Sequence, residues 1–226
     1  MSDISLQAMA KAALHFGHPT HKWNPKMKPY IYDKKYGIHI FDLQKTAKKL
    51  LEALEFLASS ARQGKNVLLV GTKQQARRLL QIIQEETGHF IVTDKWIPGL
   101  LTNWKTIKQR INYFKKLKED DASGGLAKYT KKEQSKLRKK IQDLSVSLSG
   151  VENMKGVPDV VFVTDVLRDR IVVKEANRLS IPVVGIVDTN ADPEGVDYVI
   201  PANDDALKSL TYVLDLVKEA LKAKKD

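Results

Sequence analysis

G-V-P-D-V-V-F-V-T-D (Gly156–Asp165), a helical segment, I-P-V-V-G-I-V-D-T-N-A-D-P (Ile181–Pro193) and D-Y-V-I-P-A-N-D-D-A (Asp197–Ala206) form the stretch that decides the fold. Val160–Val163, Val183–Val187 and Tyr198–Ile200 are short β-branched or aromatic runs bounded by Pro, Asp and Asn. Unbroken apolar runs of this length suit strands buried on both faces, the habit of parallel sheets. Between the first two, Asp169–Leu179 spaces Ile171, Val172, Lys174, Ala176 and Leu179 as a helix packed on a sheet would. That makes a βαβ unit with a right-handed crossover. Asn66–Gly71 followed by Thr72–Thr87 repeats the strand-to-helix pattern. An α/β domain with one open, largely parallel sheet flanked by helices is the expectation.

Working outward, Gly37–Phe41 reads as a strand and Asp42 as the N-cap of a helix over Leu43–Gln63, stopped by Gly64. Its apolar stripe is Ala47, Leu50, Leu51, Leu54, Leu57, Ala58 and Ala61. His89–Thr93 is a further strand, and Asp204–Lys224 a closing helix that packs back on the sheet. Ser5–Phe16 reads as a short helix with Leu6, Met9, Ala13 and Leu14 inward. From His15 to Gly37, three prolines and two glycines argue against regular structure. Beyond Trp104 the pattern changes. Trp104, Ile107, Ile111, Phe114 and Leu117 recur at helical spacing, Asp120–Gly125 breaks the run, and Thr130–Glu133 is a capping box. Leu137, Ile141, Leu144, Leu148 and Val151 then step by 4, 3, 4 and 3, an a/d seam. The expected organisation is a basic, aromatic extension (1–36), a sheet domain (37–103 and 154–226), and an inserted antiparallel helical hairpin, a coiled-coil arm, over 104–153.

The charge is uneven. Net charge is +11, yet residues 1–50 carry nine basic side chains against three acidic, and 104–155 carry fourteen against six. Residues 156–226 carry nine against thirteen. Basicity confined to two segments points to a polyanion. Trp23, Tyr30, Tyr32 and Tyr36 interleave with lysines, as stacking faces and phosphate-seeking cations do in RNA-contacting segments; the plainer reading is a loop pinned by its rings. The residues assigned to RNA are Lys22, Asn24, Lys26, Lys28, Lys95, Asn103, Trp104, Lys105 and Lys108, and the acidic C-terminal part is expected to add few. The absence of cysteine removes disulfides, thiolate metal sites and a cysteine nucleophile, and fits a reducing cytoplasm. No apolar run approaches a membrane span, and the N-terminus lacks the layout of a secretory signal.

Gly71-Thr72-Lys73 follows a strand as phosphate loops do, but neither G-x-x-x-x-G-K-[ST] nor G-x-G-x-x-G is present. Asp165, Asp188, Asp192, Asp204 and Asp205 fall at the carboxyl ends of expected strands, where open α/β sheets place ligands. A divalent ion held by His18 with Asp188 and Asp205 is the sharper reading; helix capping by Asp204 and turns at Asp188–Pro193 the duller. No catalytic, cofactor or metal residue is assigned.

Seven segments, in order, resemble the bacterial and organellar family of small-subunit ribosomal protein two. They are H-F-G-H-x5-N-P-K-M-K-P-Y-I (His15–Ile31), G-I-H-I-F-D-L (Gly37–Leu43), V-G-T-K (Val70–Lys73), L-T-N-W (Leu101–Trp104), and the three stretches quoted first, the last from Ile200. The resemblance implies a flavodoxin-like domain with an inserted hairpin, and a structural role in translation between head and body of the small subunit. It further implies partners: small-subunit rRNA, neighbouring ribosomal proteins and a large, multi-OB-fold mRNA-binding ribosomal protein, with no membrane and no small-molecule substrate. Pro98 stands where that family usually has glycine. The rival class is a flavodoxin-like enzyme binding a nucleotide or metal at its Asp-rich strand ends.

Overall fold

The computed structural model describes residues 4–222. The chain begins with α1 (Leu6–Lys11), β1 (Phe16–Pro19), β2 (Ile31–Lys35) and β3 (Ile38–Phe41), and continues with α2 (Leu43–Arg62), β4 (Val67–Val70), α3 (Gln74–Thr87) and β5 (Phe90–Val92). Two helices follow, α4 (Trp104–Ala122) and α5 (Lys131–Leu148). The chain then closes through β6 (Val160–Val163), α6 (Arg170–Arg178), β7 (Val183–Val187), β8 (Tyr198–Pro201) and α7 (Leu207–Leu221).

β4 to β8 form one sheet, ordered β5-β4-β6-β7-β8 and parallel throughout. Counting these five strands alone, the order is 2-1-3-4-5, that of flavodoxin-like domains. The expected α/β sheet is therefore present. Alternating side chains of each strand supply opposite faces. Val161 and Val163 of β6 point to a core shared with α4, α5, α6 and the loop carrying Trp96 and Leu100. Val160 and Phe162 point to a second core beneath α1, α2, α3 and α7. Asp42 caps α2, its carboxylate accepting from the amides of Gln44 and Lys45.

Several details differ from the sequence reading. The proline-rich N-terminal run is partly regular: β1, β3 and β2 form a three-stranded antiparallel sheet with β3 central. Pro19 is tolerated because it ends an edge strand, and Tyr36 and Gly37, both at positive φ, turn β2 into β3. The boundary placed at residue 36 thus falls between two paired strands. Leu6, Leu51, Ile171 and Leu179 are exposed, not inward. α7 starts at Leu207 without a side-chain cap, because Asp204 is turned into the core and Asn203 accepts the amides of Asp205 and Ala206. Lys224, placed in this helix by sequence, lies outside the described residues.

α4 and α5 pack on each other, and the Thr130–Glu133 capping box is formed. α4 buries Ile107, Ile111, Phe114 and Leu117, whereas α5 buries only Leu144 and Leu148. α4 also lies against the body: Lys118 donates to Glu152 at 2.8 Å and Lys115 to Asn153 at 3.2 Å. Gly150, just after α5, sits so close to the Ile91 carbonyl of β5 that a Cβ would overlap it.

Candidate nucleic-acid interface

The N-terminal segment is fastened to the carboxyl ends of β7 and β8. The His18 amide donates to Thr189 Oγ1 at 2.8 Å, and the Asn24 amide to the Thr189 carbonyl at 2.7 Å. Gly17 passes so close to Thr189 that a Cβ would collide with its side chain. The His18 imidazole lies 3.1 Å from Asp188 through Nδ1 and 3.2 Å from Asp205 through Nε2. The Asp188 contact outweighs burial and raises its pKa. H-F-G-H and V-D-T-N are thus two halves of one joint. Neither half reveals its mate in the sequence, since 171 positions separate His18 from Thr189.

Beside this joint the strand-end carboxylates enclose a cation of the chain itself. Lys73 Nζ lies 2.8 Å from Asp165, 2.7 Å from Asp204 and 2.7 Å from Asp205. Burial alone would lower its pKa, but these acids raise it. Burial, then Asp165 and Asp188, push Asp204 up to about 8. Thr72 donates to Asp169 through Oγ1 at 2.8 Å, and burial raises that carboxyl too. Gly71 is packed against Thr164, Ala76 and Leu80. A phosphate arriving here would meet carboxylates, with the one lysine already engaged. His18 and Lys73 likewise occupy the carboxylates considered for a divalent ion. Among the described residues no group of three or more His, Asp or Glu is disposed to hold a metal.

On the other core, Glu175 of α6 organises the loop between β5 and α4. Its carboxylate accepts from Trp96 Nε1 at 3.0 Å and from the amides of Gly99, Leu101 and Thr102 at 2.8, 3.1 and 3.2 Å. Burial would raise its pKa, but these donors prevail and hold it below the usual range. Glu175 had no signal in the sequence beyond being an acid on an otherwise apolar or basic helix.

The residues assigned to RNA are placed unequally. Lys22, Lys28, Lys95, Lys105 and Lys108 are exposed, with no ion-pair partner among the described residues. Lys26 bridges Asp192, at 2.9 Å, and Glu194. Asn24 caps the short 3-10 helix Pro25–Tyr30, accepting from the Lys26 amide. Asn103 is exposed at the start of α4, and Trp104 is half-buried against the core. The fold sorts charge by layer. α4, α5 and α6 carry fifteen Lys and Arg against six Asp and Glu, whereas α2, α3 and α7 carry eight against six. The helices on one side of the sheet are therefore the basic ones.

A family model described as ribosomal protein S2 matches residues 9–223. The small ribosomal subunit protein uS2 of Petrotoga mobilis (strain DSM 10674 / SJ95) is 45% identical over 221 residues, covering 98% of this chain and 77% of that protein.

Proposed function

The chain belongs to the ribosomal protein S2 family, and from that membership we propose that it binds small-subunit rRNA through its N-terminal segment and the Lys95–Lys108 region of its basic layer at the junction of head and body. It is a structural component of the small ribosomal subunit, acts in translation and is not a catalyst. The observation that carries the RNA reading is the sidedness of charge, with Lys95, Lys105 and Lys108 exposed and without acidic partners among the described residues. Lys22 and Lys28 extend this set from the N-terminal segment, and Lys26 joins it by exchanging Asp192 and Glu194 for phosphate. Asn24 and Asn103 add hydrogen bonds and the exposed part of the half-buried Trp104 ring a stacking surface, while the α4–α5 pair serves as the arm. Point-charge lysines favour phosphate contacts over base readout.

Neighbouring ribosomal proteins and the large, multi-OB-fold mRNA-binding protein complete the partners, in the cytoplasm. Exposed Phe16 and Tyr32, beside a groove lined by Ala10, His15, Tyr32 and Leu43, offer the latter an apolar surface. Among the described residues no helix is long and apolar enough to cross a membrane. The test is co-sedimentation with small subunits. Charge reversal at Lys28 and Lys105 should reduce incorporation severalfold, and parental incorporation of that variant would overturn the reading.

A further inference from the structure

By count residues 156–226 are acidic, but five of their thirteen acids, Asp165, Asp169, Glu175, Asp188 and Asp204, are buried. No Lys or Arg of the described chain is buried. The effect is sharpest on α6. Its one acid, Glu175, is consumed by the Trp96–Thr102 loop, and Asp169, just before it, by Thr72. What remains outward is Arg170, Lys174 and Arg178 around the exposed Ile171.

These cations recur at i, i+4 and i+8, so they form one stripe spanning about 12 Å along the helix. The helix dipole disfavours Arg170 in the first turn and favours Arg178 in the last, so the cost that remains is the repulsion of like charges at i, i+4. None of the three has an acidic partner among the described residues. The helix therefore carries an internal electrostatic cost that an external anion would relieve. Its position is equally telling. One neighbour is the loop that begins after Lys95; the other is the Asp192–Gly195 turn, which Lys26 grips and whose Gly195 abuts Asn177 of α6. α6 thus lies between the two segments already assigned to RNA.

We propose that Arg170, Lys174 and Arg178 form a third contact surface for the rRNA phosphate backbone, joining the N-terminal segment to the Lys95–Lys108 region. This rests on the rRNA-binding reading above. The test is binding of the full chain to purified small-subunit rRNA over a salt series, with Arg170→Gln, Lys174→Gln and Arg178→Gln combined. Losing three phosphate contacts should flatten the log–log salt slope by roughly 2, while the thermal midpoint holds or rises because repulsion is relieved. A parental slope and affinity overturns the inference. If Lys28→Gln with Lys105→Gln still flattens the slope in parallel, this surface alone fails; if neither set changes binding, the rRNA reading fails with it. Because the chain has no cysteine, Ile171→Cys gives a unique tether for an iron chelate in assembled subunits. Cleavage of a discrete rRNA segment from that tether supports the surface, and none overturns it.

Discussion

Replacing Glu175 by Ala strands the donors of Trp96, Gly99, Leu101 and Thr102. A cost of about 2–4 kcal/mol follows, since a buried donor left unpaired is more expensive than its bond was favourable. Glu175→Gln keeps one acceptor and should lose roughly half as much in urea unfolding. A Glu175→Ala variant as stable as the parent would show that the loop is held by its apolar contacts alone. Because Glu175's pKa is depressed, its support is present above the ordinary carboxylate range and is lost as pH falls through the lowered value. His18 runs the other way. Its pKa is raised, so its contribution is full below the ordinary histidine value and disappears as pH rises through the raised one. His18→Gln should therefore cost on the order of 1 kcal/mol at pH 5.5 and clearly less at pH 9, compared with the parent by thermal unfolding. An equal cost at both pH values would mean that the imidazole acts only by shape.

At the scale of elements, the parallel strands and helices were readable because runs such as V-V-F-V and the stripe of α2 declare burial on two faces or one. The capping box before α5 was legible for the same local reason. The small antiparallel sheet was not, because Pro19 and the bulged registers erase the alternation that marks a strand. Nor was the lie of α4, since its seam fits a partner helix or the sheet layer equally well. Leu144, 7% exposed on the mostly solvated α5, should cost about 2–4 kcal/mol on change to Ala. Gly150→Ala should cost about 1–3 kcal/mol, because the overlap is with the Ile91 backbone, which cannot swing aside. Chemical denaturation of both variants checks this, and a neutral Gly150→Ala would mean that the join between α5 and β6 is looser than it is packed.

For the whole molecule, segment charge was legible and its display was not. Counting residues cannot register that Asp165 and Asp204 face inward around Lys73 and Asp188 towards His18, or that Lys26 is already paired. That Lys28 and Lys105 are exposed was legible, because long charged side chains are seldom buried. If they meet phosphates, Lys28→Gln with Lys105→Gln should flatten the salt dependence of rRNA binding by roughly 1.5, whereas Lys208→Gln, on the opposite layer, should leave it unchanged. A larger change from Lys208 would put the RNA on the wrong side of the sheet.

The joint between residues 14–24 and 188–203 also sets an order of events in time. A ribosome making this chain releases the N-terminal half of the joint first and the receiving half 171 positions later. At about 5–20 residues per second the interval is roughly 8–35 s. During it, Gly17, His18 and Asn24 have no Thr189 to hold, and a basic, aromatic segment trails free beside the RNA-rich particle that is making it. Closing the joint is then a late folding step of high contact order, after which the same segment becomes a fixed surface for a new particle.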